Sequence, residues 1–162
     1  MTSETASHTA GRPANMPFGG LDAHYLAAVS LDDLRREALN FLIEHSHRAA
    51  KARGWWTDKA GIDMTKFYVG ENRDNLITKK LMLIVSEIVE AFEGVRKDAQ
   101  DDHLPDLKSL DVELADALIR LLDTAGGLGI DLAEAYVRKH AYNAVRLDHD
   151  PAVRAATGGK KF

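Results

Sequence analysis

Hydrophobic positions recur at helical spacing along most of this chain, with breaks where helices would end. Ser30 followed by Asp33 marks a helix start, and Leu34, Ala38, Phe41, Leu42, His45 and Ala49 continue the pattern until Gly54 supplies a stop. Asp22 to Val29 reads as a short extra turn before it. Trp55 to Gly70 breaks every period and reads as a glycine-bounded loop carrying two adjacent tryptophans. A second helix is expected from Asn72 to Lys97. One broad apolar arc on it holds Ile77, Leu81, Ile84, Val85, Ile88, Phe92 and Val95, and a second strip holds Leu76, Leu83 and Ala91. An acidic connection, Asp98 to Asp106, leads to a third helix whose core arc is Leu110, Leu114, Leu118, Leu121 and Leu122. That helix is expected to end at Gly126-Gly127. Asp131 and Glu134 predict a capping box for a fourth helix, closing near Asp148 before Pro151. With no strand pattern, repeat or heptad run, the expected fold is all-α, a four-helix bundle.

The chain ends change this picture little. Residues 1–20 are rich in Ser, Thr, Ala, Gly and Pro and read as a flexible tail, not a signal peptide. Residues 151–162, with Gly158-Gly159-Lys160-Lys161, read as a second tail, leaving 21–150 as one domain. A net charge of -4 without a long basic run argues against a nucleic-acid polymer as partner. No stretch approaches a membrane-spanning length, so no membrane partner is expected. The absence of cysteine removes disulfides, thiolate zinc sites and thiol nucleophiles, and fits a cytoplasmic location.

Candidate chemistry lies in two acidic pairs, Glu87 with Glu90 and Glu113 with Asp116, each placing two carboxylates three residues apart on one helix face. Glu87 and Glu90 are interleaved with the Leu76, Leu83 and Ala91 strip. Glu113 and Asp116 share a polar stripe with Arg120 and Asp123, for which a solvated surface is the plainer reading. Two such helices side by side would gather four carboxylates whose repulsion needs a cation or nearby Lys and Arg. Hard oxygen ligands without sulfur favour Mg2+ or Mn2+. Lys139, Asn143 and Arg146 fall on one strip of the fourth helix, suited either to phosphate oxygens or to complementing the helix dipole. Trp55 and Trp56 offer base-stacking surface or core plugs. Glu44 and His47 form a single Glu-x-x-His pair, too few for a di-iron bundle. His149-Asp150 lacks a companion histidine motif, and Gly126 to Gly129 lacks the strand a dinucleotide loop requires.

The ordered set of Leu81 to Glu93, Glu113 to Arg120, Gly129 to Leu132, then Lys139, Asn143 and Arg146 resembles the MazG-like, all-α nucleoside triphosphate pyrophosphatases, over roughly Leu31 to Arg146. The resemblance implies that Glu87, Glu90, Glu113 and Asp116 are catalytic Mg2+ ligands and that Lys139, Asn143 and Arg146 help hold the triphosphate. It implies cleavage between the α and β phosphates of a (d)NTP to give the monophosphate and pyrophosphate, for cleaning or biasing the nucleotide pool. It also implies a homodimer or homotetramer that completes the bundle. Some family members carry a further Glu where this chain has Ser86, which leaves the metal count and the general base open. The alternative function is a non-catalytic helical module binding a nucleotide or a protein.

Overall fold

The computed structural model describes residues 29–146 and 151–155. The expectations placed on residues 1–20, on the turn before Val29, on His149-Asp150 and on Gly158 to Lys161 lie outside the described residues. Among the described residues the chain forms six helices and no strand. They are α1 (Leu31–Ala52), α2 (Met64–Phe67), α3 (Gly70–Lys97), α4 (Ser109–Leu128), α5 (Leu132–Ala144) and α6 (Pro151–Ala155). No helix among them is long and apolar enough to cross a membrane.

Local chemistry sets most boundaries where the pattern placed them. The Ser30 hydroxyl accepts the Asp33 amide at 3.1 Å, and the Asp131 carboxylate accepts the Glu134 amide at 3.1 Å, each satisfying an orphan N–H of a first helical turn. Glu134 does not complete the expected box. Its carboxylate accepts from Arg36 Nε at 2.7 Å and so ties α5 to α1. α3 ends in a left-handed residue, Asp98, whose amide donates to Val95 and whose carboxylate accepts from Lys108 at 2.8 Å. An isolated bridge between Gln100 and Lys108 closes the acidic connection.

Two boundaries differ from expectation. Gly126 and Gly127 lie inside α4, and the terminating left-handed residue is Gly129 at φ 67°. The inner glycines are there for close packing. A Cβ on Gly126 would stand 2.6 Å from the Cβ of His47, and one on Gly127 would stand 2.6 Å from Trp56 Cε2 and closer to the rest of the ring. α5 stops at Ala144, short of Asp148, where the Val145 and Arg146 amides turn to the carbonyls three residues back. The loop between α1 and α3 also holds the one-turn α2, capped by Asp63.

α4 packs against both α3 and α1, and α5 packs on α1. The faces used for this packing are not the broad apolar arcs. α3 meets α4 through Leu76, Glu87, Ala91 and Gly94, while Leu81, Val85, Ile88, Phe92 and Val95 are exposed, Phe92 to 62%. On α4 the buried residues are Ala117, Leu122, Asp123, Thr124, Ala125 and Gly127, while Leu114, Leu118 and Leu121 are exposed. By helical phase at roughly 100° per residue, the exposed arcs of α3 and α4 lie on one side of their contact. Glu90 and Asp116 lie on the other.

Candidate metal and phosphate site

The α3–α4 contact sets the spacing of the carboxylates. Within it Gly94 packs closely against Ser109, where a Cβ on the glycine would lie 2.6 Å from the serine Oγ. One turn further along each helix stand Glu90 and Glu113, with Glu87 one turn beyond Glu90. Glu87, Glu90 and Glu113 each offer a carboxylate oxygen, and these oxygens all lie within 4.8 Å of one another. Glu87 is buried, Glu113 half-buried and Glu90 exposed. Burial pushes the Glu113 carboxyl above its ordinary range. The nearby Glu90 charge, a hydrogen bond with Glu87 and the charges of Glu87 and Asp116 act in the same direction. Such a group is uncomfortable as an anion until a cation arrives.

Asp116, the fourth carboxylate, is exposed and outside the converging three, but near enough for its charge to act on Glu113. Arg120, one turn beyond Asp116, approaches Glu87 with Nε 2.8 Å from Oε1. Ser86 turns its hydroxyl mainly to the Leu83 carbonyl at 2.8 Å. Beside Glu90, a groove of about 280 Å3 opens between the end of α3 and the 98–108 connection, lined also by Lys97, Gln100, Asp102 and Ser109.

The other candidates stand elsewhere. Lys139, Asn143 and Arg146 are on α5, where Lys139 Nζ lies 4.9 Å and the Arg146 guanidinium carbon 5.8 Å from the centre of the exposed Tyr142 ring. The Asn143 side-chain oxygen is buried without a hydrogen-bond partner among the described residues. α5 packs on α1, whereas the carboxylates belong to α3 and α4, so one chain's packing does not by itself join the two sets. Glu44 is exposed and pairs with Arg48 at 3.8 Å, while His47 turns inward, so these two do not form a ligand pair.

The two tryptophans part company. Trp55 is 67% exposed. Trp56 is 0% exposed and is a core plug, the second of the two readings open to it, so it is withdrawn as a candidate base-stacking residue. Its Nε1 donates to Asp123 Oδ1 at 2.6 Å, Lys80 Nζ covers one face 3.9 Å from the ring centroid, and His47 meets it edge-on at 5.1 Å. Asp123 also receives Lys80 on Oδ2 at 3.1 Å and has His47 Nδ1 at 3.0 Å from Oδ1. This latch pins the loop after α1 onto α3 and α4. Sequence reasoning placed Asp123 on a polar surface stripe and gave Lys80 no role. The role of Arg120 was also missed, although its place in the Glu113, Asp116 stripe was a usable signal.

Compared with known protein families, characterised proteins and solved structures, the chain matches none.

Proposed function

We propose that the protein is a divalent-cation-dependent nucleoside triphosphate pyrophosphohydrolase of the MazG-like all-α type, converting a (d)NTP to the (d)NMP and pyrophosphate. The observation that carries this reading is the convergence of Glu87, Glu90 and Glu113 from two helices, with their oxygens within 4.8 Å. An all-oxygen donor set with an elevated carboxyl pKa fits a hard cation. Glu87, Glu90 and Glu113 would hold Mg2+, or Mn2+ in its place, with Asp116 one turn away. When bound, the cation supplies charge neutralisation at the phosphates and a more acidic water. The chain's own cations on α5, Lys139 and Arg146, engage phosphate oxygens, and Asn143 assists them. Trp55 is the aromatic surface left for a base.

Assembly as a homodimer or homotetramer belongs to the same proposal. It is supported by the apolar arcs that α3 and α4 leave exposed on the side away from Glu90 and Asp116. Two such hairpins face to face would bury them as a four-helix bundle. The test of the catalytic reading is to incubate the protein with each common dNTP and NTP plus Mg2+ and to resolve the products. Monophosphate with pyrophosphate is expected. No turnover of any substrate would replace the enzyme by the non-catalytic binding module.

A further inference from the structure

Among the described residues Arg120 is ion-paired with the carboxylate group through Glu87. The contact to buried Glu87 runs through Nε at 2.8 Å, yet the Arg120 side chain remains 42% exposed. A guanidinium carries five N–H donors in a planar fork, so one edge can be occupied while the terminal nitrogens remain available. Glu87 in turn has its Oε1 engaged by Arg120 and offers a carboxylate oxygen within 4.8 Å of those of Glu90 and Glu113.

Charge balance points the same way. Glu87, Glu90, Glu113 and Asp116 sum to four negative charges against one from Arg120. One divalent cation still leaves that group net negative, so a polyphosphate docking there needs a fixed positive group beside the metal ligands. Lys139 and Arg146 stand on a helix that packs elsewhere in the chain. Arg120 is already in place.

We infer that Arg120 contacts the phosphate of the bound substrate. Held through Nε on Glu87, it presents its terminal nitrogens to an oxygen of a polyphosphate seated at the carboxylates. This rests on the pyrophosphohydrolase reading and deepens it, making Arg120 a substrate-binding residue in its own right. A guanidinium that only balances the carboxylates in the metal-free protein would behave differently, because its removal would help the cation and leave the phosphate indifferent.

The experiment measures, on the full chain, binding of Mn2+ alone and of inorganic tripolyphosphate in the presence of saturating Mn2+, for the wild type, Arg120→Gln and Arg120→Lys. Tripolyphosphate removes the unknown base from the question. The expected result for Arg120→Gln is tripolyphosphate affinity lowered about tenfold or more, the scale of a lost charge-assisted pair, with Mn2+ affinity unchanged or increased. Arg120→Lys keeps the charge without the fork, so it should fall between the two, and it carries the test if the glutamine variant melts early. Unchanged tripolyphosphate binding in Arg120→Gln would overturn the inference, as would an equal loss of Mn2+ and tripolyphosphate affinity. If the wild type turns over nucleotides while the variants bind tripolyphosphate normally, only the role of Arg120 falls. If the wild type binds no Mn2+ and turns over nothing, the pyrophosphohydrolase reading falls as well.

Discussion

Replacing Gly127 with alanine should destabilise the protein although it improves a helix. Gly127 is interior to α4, and an alanine there is favoured over glycine by about 1 kcal/mol in a free helix. Against that gain, the new Cβ would sit 2.6 Å from Trp56 Cε2 and closer to Cζ2 and Cη2. The indole has no room to withdraw, being 0% exposed and held by Asp123 at 2.6 Å. Overpacking of this kind costs roughly 1–3 kcal/mol. Shifting the ring also strips a donor from the buried Asp123 carboxylate, a further loss of about 1–3 kcal/mol. The net expectation is a loss of about 1–5 kcal/mol, or a Tm lower by roughly 2–20 °C for a chain of this length. Urea denaturation and thermal scans at one fixed protein concentration measure it. The same substitution made in a Trp56→Ala background should be neutral or stabilising, since the obstacle is gone and only the propensity remains. Gly127→Ala at or above wild-type stability would refute the reasoning, and so would an equal loss in both backgrounds.

Hydrolysis should require Mg2+ or Mn2+, and Glu87→Gln, Glu90→Gln or Glu113→Gln should each lower turnover by about a hundredfold or more; full activity in excess EDTA, or in the Glu90 variant, would break the assignment. Leu118→Glu or Val85→Glu, each on an exposed apolar arc, should break the proposed homo-oligomer into monomers by light scattering, and a monomeric wild type would remove that assembly. The Asp63 carboxyl is held down to about 2, first by the Thr65 hydroxyl and then by Lys51, from an ordinary 3.8. Its contribution is therefore present above the unfolded value and lost as pH falls from 3.8 toward 2, which hydrogen exchange in the 55–69 loop should report and Asp63→Asn should abolish. Lys139→Ala and Arg146→Ala should raise KM more than Arg138→Ala does; equal effects at all three would indicate a general charge effect instead.

Helix positions were legible because their signals are local. Ser30 with Asp33 and Asp131 with Glu134 act within one turn, and the structure starts helices at both. The end of α4 was not legible, because a glycine required by a side chain from a distant loop looks the same in sequence as a glycine that terminates a helix. Trp56 and Asp123 are separated by 67 residues, and nothing near either announces the other. The facing of the helices misled for a different reason. Periodicity reports which side avoids water but not what covers it, and on α3 and α4 the chain itself covers the narrower strip of Ala91, Gly94 and Ala117. The spacing of Glu87, Glu90 and Glu113 did predict that their oxygens would meet, because a three-residue step and two adjacent helices suffice for that. Asp116 showed the limit of the argument, since a position on the same face still ends in solvent when the neighbouring helix passes a little to one side.

If the carboxylates hold a metal as proposed, the crossing of Gly94 over Ser109 would also act as a gauge for ion size. Only the small Ser109 side chain stands against Gly94, so the helices pack closely one turn from Glu90 and Glu113, and that contact bears on the gap the carboxylates span. Mg2+ demands oxygens at about 2.0–2.1 Å, whereas Ca2+ accepts 2.3–2.6 Å and a looser shell. A spacer inserted at the crossing, as in Gly94→Ala, would spread the hairpin where its carboxylates sit and move the preference from Mg2+ toward the larger ion. A single missing methyl group, one turn from the nearest proposed ligand, would then decide which metal the protein selects.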